Sequence, residues 1–356
     1  MPTRKRIDWP KVAAALARQI PHAALHAGAM ERARNEHGRE TRKGGKASRW
    51  ALAFSGGADS LALLLVLWAE GPGRWGRDFV AFHFNHRLRG RAADADEKFC
   101  RQVCRALGVE CVVGRWTRGR TAGKRRSVSE AEARAARHDF FARAMQQRTM
   151  RLLWLAHQQD DIAETMLMRL SRGSGTGGMA APRPVQATPD GRLHLRPLLT
   201  LKKADIVAAL RAAGATWRED ATNASDDYFR NRVRRAVVPA WMKASGRDAL
   251  AGAALSRERL EEDDCALDAW LAELAPMRRR RLDLARIAGK PRAIVRRALH
   301  RWLEAVRPES DLSRQGFELL LAAVVRGKPT RFSLGTGFAV LQAGELRWVR
   351  GPNVPN

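Results

Sequence analysis

The sequence predicts an α/β domain, a doubly wound and mostly parallel sheet, followed by a mainly helical domain that ends in a small antiparallel sheet. Three observations carry that prediction. The apolar run 50–54 passes through Ser55-Gly56-Gly57-Ala58-Asp59-Ser60 straight into the apolar stretch 61–69, which reads as a strand, a glycine turn and a helix. From Arg49 to about residue 225, apolar runs alternate with amphipathic segments, as expected of βαβ units. Beyond that point long helical patterns dominate until Thr330, where the period becomes that of strands separated by glycine turns.

In chain order, residues 1–47 hold one short helical stretch near 11–19 and a polar segment ending in Arg42-Lys43-Gly44-Gly45-Lys46, and are expected to form a basic, flexible extension. Strands are expected at 50–54, 79–84, 110–113 and 151–156. Helices are expected at 59–69, 94–107, 129–147 and 161–170, the third opened by Ser129 and Glu132 as a capping box. A helix over roughly 200–213 completes the first domain, 48–225. The second domain, 226–356, reads as helices near 228–243, 247–275, 281–305 and 313–326 and then terminal hairpins.

The formal net charge of +28 and pI near 11.4 point to a polyanionic partner, nucleic acid above all, with the basic background of a GC-rich genome as the alternative source. Cys100, Cys104, Cys111 and Cys265 make no CxxC pair, so neither a zinc ribbon nor a thioredoxin-type site is supported, and the protein reads as reduced and cytoplasmic. The run 61–69 is far too short to cross a bilayer, and no secretory leader is evident at the N-terminus, so no membrane partner is expected.

The turn after the first strand is a phosphate cradle. Gly56 and Gly57 let the backbone approach an anion, Ser55 and Ser60 add hydroxyl donors beside the Ala58 helix start, and Asp59 supplies a carboxylate suited to Mg²⁺. No Lys follows, so the turn is not a Walker A loop, and the dinucleotide fingerprint fails for want of its third glycine. Ligands of such sheets bind beyond the carboxyl ends of the strands, so residues 55–60, Asn85-His86 and 157–164 are expected to converge.

In His157-Gln158-Gln159-Asp160-Asp161-Ile162-Ala163-Glu164-Thr165, helical spacing puts Asp160, Asp161 and Glu164 on nearly one face. Helix capping accounts for one of these acids more easily than for three. Mg²⁺ on a nucleotide, a substrate ammonium, or both would balance them, with Asp59 and Asp160 the candidate Mg²⁺ ligands. His157 reads as an acid or base, a phosphate contact, or a packed structural residue.

The Ser55–Ser60 turn resembles the SGGxDS motif of PP-loop ATP pyrophosphatases. Together with HxxDDxxET, Arg169-Leu170-Ser171-Arg172-Gly173-Ser174-Gly175, Arg196-Pro197-Leu198-Leu199 and Asp220…Asn223…Arg230-Asn231-Arg232, it stands in the order found in tRNA(Ile)-lysidine synthetases, a resemblance covering roughly residues 50–240. That resemblance implies a catalytic domain over 48–225 and a tRNA-binding domain over 226–356. It also implies an activity: ATP adenylates the C2 oxygen of wobble cytidine 34 in tRNA(Ile) with a CAU anticodon, and the L-lysine side-chain amine then displaces AMP. Asp59, Arg134, His157, Asp160, Asp161 and Glu164 are the implied catalytic set. Ser55, Gly56, Gly57, Ala58, Asp59 and Ser60 would hold ATP, and Arg172, Arg196, Asn223, Arg230, Asn231 and Arg232 are candidates for substrate or RNA. In Ala133-Arg134-Ala135-Ala136-Arg137-His138 the last residue departs from the family's Tyr, and Asn85-His86-Arg87-Leu88-Arg89 departs from its HHxLR. Trp116 and the basic stretches 115–126 and 278–281 read equally as RNA contacts or solvated loops. A tRNA thiolation enzyme on the same scaffold and a non-catalytic RNA-binding protein are the competing readings, the first weakened because no cysteine is placed to carry sulfur. A homodimer is left open.

Overall fold

The computed structural model describes residues 7–42, 50–74, 79–116, 129–219, 228–306, 312–335 and 337–351. The chain divides into two compact units, Met1–Arg259 and Leu260–Asn356. The boundary therefore falls later than the expected 225/226. Segments after 226 belong to the first unit because Val233, Val238, Leu250 and Ala253 pack with Ile162, Ala163 and Leu199 in one cluster.

The first unit is built on a six-stranded sheet. Its strands are β1 (Trp50–Ala53), β2 (Phe79–Asn85), β3 (Glu110–Arg115), β4 (Leu152–Trp154), β5 (Val185–Ala187) and β6 (Leu193–Leu195), in the order β3-β2-β1-β4-β6-β5. All pairings are parallel except β5 with β6. The direction of winding reverses between β1 and β4, which opens a crevice beyond their carboxyl ends. The sequence reading omits β5 and β6, since three-residue strands around His194 give almost no alternation to read.

Helix α3 (Ala58–Arg74) follows β1, and its residues from Leu61 to Val66 are fully buried, as an all-round apolar helix must be. Helices α4 (Arg91–Leu107), α5 (Glu130–Gln147), α6 (Gln159–Leu170) and α8 (Lys203–Ala212) surround the sheet, with a four-residue α7 (Thr176–Met179) after α6. The expected Ser129/Glu132 capping box opens α5.

The expectation of a flexible extension is corrected for residues 7–36. Helix α1 (Trp9–Gln19), capped by Asp8 and carrying Pro10 in its first turn, buries Trp9, Val12, Ala13 and Leu16 in the main core. The Trp9 ring lies edge-on to Phe99 at 6.0 Å. Helix α2 (Ala27–Arg42) follows, and the segment between the two helices is tied to a 3₁₀ turn at Pro197–Thr200. His26 N–H donates to the Pro197 carbonyl (2.8 Å), and the Thr200 hydroxyl donates to the Ala24 carbonyl (2.6 Å).

Residues 229–245 form one continuous helical run with a change of pitch: α9 (Phe229–Arg232), a π-helical segment (Val233–Val237) and α10 (Val238–Ser245). Helix α11 spans Ala249–Leu274.

The second unit has its own core around Trp302, Leu299, Leu320 and Leu346. It pairs α12 (Arg292–Val306) and α13 (Arg314–Arg326) with a five-stranded antiparallel sheet. That sheet comprises β7 (Met277–Arg278), β8 (Arg281–Asp283), β9 (Thr330–Ser333), β10 (Gly337–Gln342) and β11 (Glu345–Arg350). The helix expected from 281 starts only at Arg292. Arg278 and Arg281 are instead paired across a tight hairpin, with Arg279 at φ 56.

Candidate active site

The loop 55–60 lies at the end of β1, on one wall of the crevice. Ser60 Oγ accepts from Ser55 N–H (3.2 Å) and donates to the Gly57 carbonyl (3.1 Å), while the two serine hydroxyls stand 3.0 Å apart. The Gly57 carbonyl takes the first helical bond of α3 from Leu61 N–H. Gly56 sits at φ +87, and a Cβ there would lie 3.0 Å from Cys100 Sγ and 3.3 Å from Phe99, so both conformation and space demand glycine. The turn is thus held open toward the crevice, with Asp59 in the first turn of α3, where helix amides lack intrahelical partners.

The opposite wall is the start of α6. Gln158 is its N-cap: its side-chain Oε1 accepts from Asp160 N–H (2.6 Å), and Asp161 Oδ2 accepts from Gln158 N–H (2.9 Å). Capping therefore accounts for part of Asp161, and only for part. Its other oxygen accepts from Arg230 Nη2 (2.6 Å). Glu164, with 2 % of its side chain exposed, accepts from Arg230 Nε (2.8 Å) and from Arg234 Nε and Nη2 (2.5 and 3.0 Å). Burial opposes the charge on both arginines, but the carboxylates overcome it and raise their pKa. The acidic pair is neutralised by two guanidinium groups one helical turn apart, which is the i, i+4 spacing of Arg230 and Arg234.

Lys203 joins the two walls. Its Nζ donates to Asp59 Oδ1 (2.7 Å), and its backbone N–H donates to Asp160 Oδ2 (2.9 Å). Burial raises the Asp59 pKa, offset by Lys203, with Asp161 and Arg234 acting on it as well. Asp59 already holds one cation, the Lys203 ammonium, while Asp160 accepts from the same residue's backbone N–H, and among the described residues no group of three or more metal-ligating side chains gathers. Mg²⁺ is commonly held by one or two carboxylates together with substrate phosphates, so this donor set fits the ion in the company of a polyphosphate.

A basic group borders the acids. Arg196 is buried and spends its donors inside the fold: Nε on His157 Nδ1 (3.2 Å), Nη1 on the Arg183 carbonyl (2.7 Å) and Nη2 on Gln186 Oε1 (2.9 Å). That makes it a post for His157 rather than an RNA contact. Burial, followed by Arg196, Arg230, Arg134 and Arg137, pushes the His157 pKa well below its usual value. Burial and neighbouring arginines bring His138 and His194 to about 4 and Arg137 to about 10.

The remaining expected residues divide. Asn231 is buried, Arg172 is exposed, and Arg232 is exposed with its guanidinium 5.8 Å from the Phe229 ring. Asn223 and Asp220, like residues 117–126 of the basic stretch, lie outside the described residues. Asn85 does not face the crevice as expected. It donates to Asp94 and Glu97 (3.1 Å each) on α4, and the His86 ring lies 6.0 Å from that of Trp116. Cys100 and Cys104 are buried with raised pKa values, Cys100 chiefly by desolvation and Cys104 by its bond with Cys111. They are therefore poor thiolates. Lys203 is the site residue that sequence reasoning does not single out, and Arg234, which the sequence offers as a tRNA contact in the basic run 230–235, is instead spent on Glu164. The signal for Lys203 was present: a lysine in the first turn of a helix.

The PP-loop domain family matches residues 30–241. The chain is 37% identical over 226 residues to the tRNA(Ile)-lysidine synthase of Geobacter sulfurreducens, covering 63% of this chain and 46% of that one. It is 37% identical over 188 residues to that of Bacillus subtilis (53% and 39%), and 31% identical over 279 residues to that of Bacillus licheniformis (78% and 56%). The chain thus spans about half the length of the curated relatives it matches. Among solved structures, the U34-tRNA thiolase NcsA of Methanococcus maripaludis shares the fold, with a TM-score of 0.51, 16% identity and coverage of 66% of this chain and 79% of that one. Because the family match takes in more than half of the chain and contains both walls of the crevice, the chain belongs to the PP-loop domain family.

Proposed function

We propose that the protein is an ATP-dependent ligase that forms lysidine at wobble cytidine 34 of tRNA(Ile) with a CAU anticodon, releasing AMP and pyrophosphate. The observation that carries this reading is the meeting of a phosphate cradle and a neutralised acidic pair across one crevice, linked by Asp59, Lys203 and Asp160. The likeness to lysidine synthases of three bacteria supports the choice of substrates.

In the first step the C2 oxygen of the base attacks the α-phosphorus of ATP, and the bond to pyrophosphate breaks. The amides and hydroxyls of Ser55–Ser60 hold the phosphates, and Asp59 and Asp160 would hold Mg²⁺, which would draw charge from the phosphate oxygens. In the second step the lysine amine attacks C2, and the C2–O bond breaks to release AMP. Asp161 and Glu164 attract the substrate ammonium and one of them takes its proton, a role that requires Arg230 and Arg234 to yield part of their hold. Arg134 helps to position lysine and the base, and Arg172 and Arg232 supply positive charge for the tRNA backbone. Cys100 and Cys104, buried and with raised pKa values, are poor sulfur carriers for the thiolation reading.

The test supplies the purified protein with ATP, Mg²⁺, labelled lysine and this tRNA. Label is expected in the wobble nucleoside, identified by mass spectrometry. Its absence beside a competent control enzyme would refute the proposal.

A further inference from the structure

We infer that Lys203 is the phosphate-recognising cation of this site, reaching from the start of α8 to the β- and γ-phosphates of a nucleoside triphosphate held by residues 55–60. This inference rests on the reading of that loop as a nucleotide cradle.

The loop itself contains no basic residue, yet it carries Asp59, whose carboxylate would repel an incoming polyphosphate. The cation beside that carboxylate comes from 144 positions away: Lys203 Nζ lies 2.7 Å from Asp59 Oδ1. Its side chain keeps 40% exposure. An ammonium has three donors, so the bond to Asp59 leaves two for a ligand in the crevice. The root of the side chain is fixed by the bond from its own backbone N–H to Asp160 Oδ2, so the ammonium swings from a point anchored to the opposite wall.

Helix construction does not explain a lysine here. Lys202 and Lys203 occupy the N-cap and first position of α8, and Lys202 makes no side-chain cap. Positive charge at a helix N-terminus opposes the macrodipole, where Asp, Ser or Thr would stabilise. A local preference broken beside a ligand crevice is the pattern expected of a residue kept for binding. When a polyphosphate enters, Lys203 transfers its hydrogen bond from Asp59 to the phosphate oxygens and frees Asp59 for a metal ion. The cation then reads β- and γ-phosphate and ignores the α-phosphate of AMP.

Calorimetric titration of the full chain with ATP, pyrophosphate and AMP, in the presence of Mg²⁺, tests this with Lys203→Gln and Lys203→Arg. Lys203→Gln is expected to weaken ATP and pyrophosphate at least tenfold and AMP by no more than twofold, and Lys203→Arg to recover binding to within threefold of wild type. Unchanged pyrophosphate binding, or an equal loss for AMP, overturns the assignment of Lys203 while leaving the cradle intact. Failure of the unmodified protein to bind ATP removes the cradle and this inference together. Should Lys203→Gln not fold, reductive methylation of the unmodified protein decides: pyrophosphate is expected to protect Lys203 from labelling and AMP is not. Labelling unaffected by pyrophosphate overturns the inference.

Discussion

Glu164 has almost no exposed surface and accepts three hydrogen bonds from two arginines, so its charge is stable only because both are present. Removing one partner of a fully buried ion pair costs about 3 to 5 kcal/mol, but Arg234 keeps 39% exposure and Asp161 remains beside both arginines. Glu164→Ala is therefore expected to destabilise the protein by about 2 to 3 kcal/mol, read as a lowered urea midpoint with unchanged slope. A midpoint equal to wild type would show that Asp161 alone is enough to hold both arginines. His157 is the residue whose sequence reading changes most. Because Arg196 Nε–H donates to its Nδ1, the neutral ring carries its proton on Nε2 and offers the site a donor. The acid, base or phosphate contact expected from sequence narrows to a neutral hydrogen-bond donor. The carboxylates and the glycine turn were legible because each belongs to a local pattern. Their partners were not: Arg230 and Arg234 stand 66 and 70 positions from Glu164, and Lys203 stands 43 from Asp160.

At the scale of elements, β1, the turn and α3 could be read directly because a buried strand, a double glycine and an apolar helix adjoin in sequence. The short strands β5 and β6 and the hairpin β7–β8 could not, since their pairing depends on neighbours supplied by the sheet. The edge formed by β2, α4 and β3 carries a separate polar network that no motif announced. Glu97 on α4 accepts from Asn85, Arg101 and Arg115, with one Arg115 bond at 2.6 Å. Burial raises its pKa, yet these bonds outweigh burial and bring it from 4.5 to about 2. A depressed carboxyl contributes stability that is complete above the unfolded value of 4.5 and is lost as pH falls toward about 2, a contribution that the half-exposed Arg101 and Arg115 keep modest through solvent screening. Glu97→Gln is expected to flatten the fall in unfolding free energy between those two pH values, measured by denaturant titration at a series of pH. An undiminished slope would mean that other carboxyls govern acid unfolding.

At the scale of the whole molecule, the N-terminal segment is part of the first unit's core, which its polar, basic continuation obscured in the sequence. Fully burying a large apolar side chain contributes about 1.5 to 3 kcal/mol, and α1 places Trp9, Val12 and Leu16 there. Deleting residues 1–26 is expected to lower the thermal midpoint of the first unit's transition by about 10 °C or more. A scanning calorimetry trace with that transition unmoved would show α1 to be dispensable. The two hydrogen bonds that tie Ala24 and His26 to Pro197–Thr200 close a loop of some 176 residues. The segment between α1 and α2 therefore reaches its final place only after residues 197–200 have been made, whereas α1 itself packs on α3 and on Phe99 of α4, much nearer in the chain. Those late contacts secure the turn at Pro197–Thr200 that leads into Lys203, so one wall of the crevice is braced by a segment more than 170 positions away in sequence.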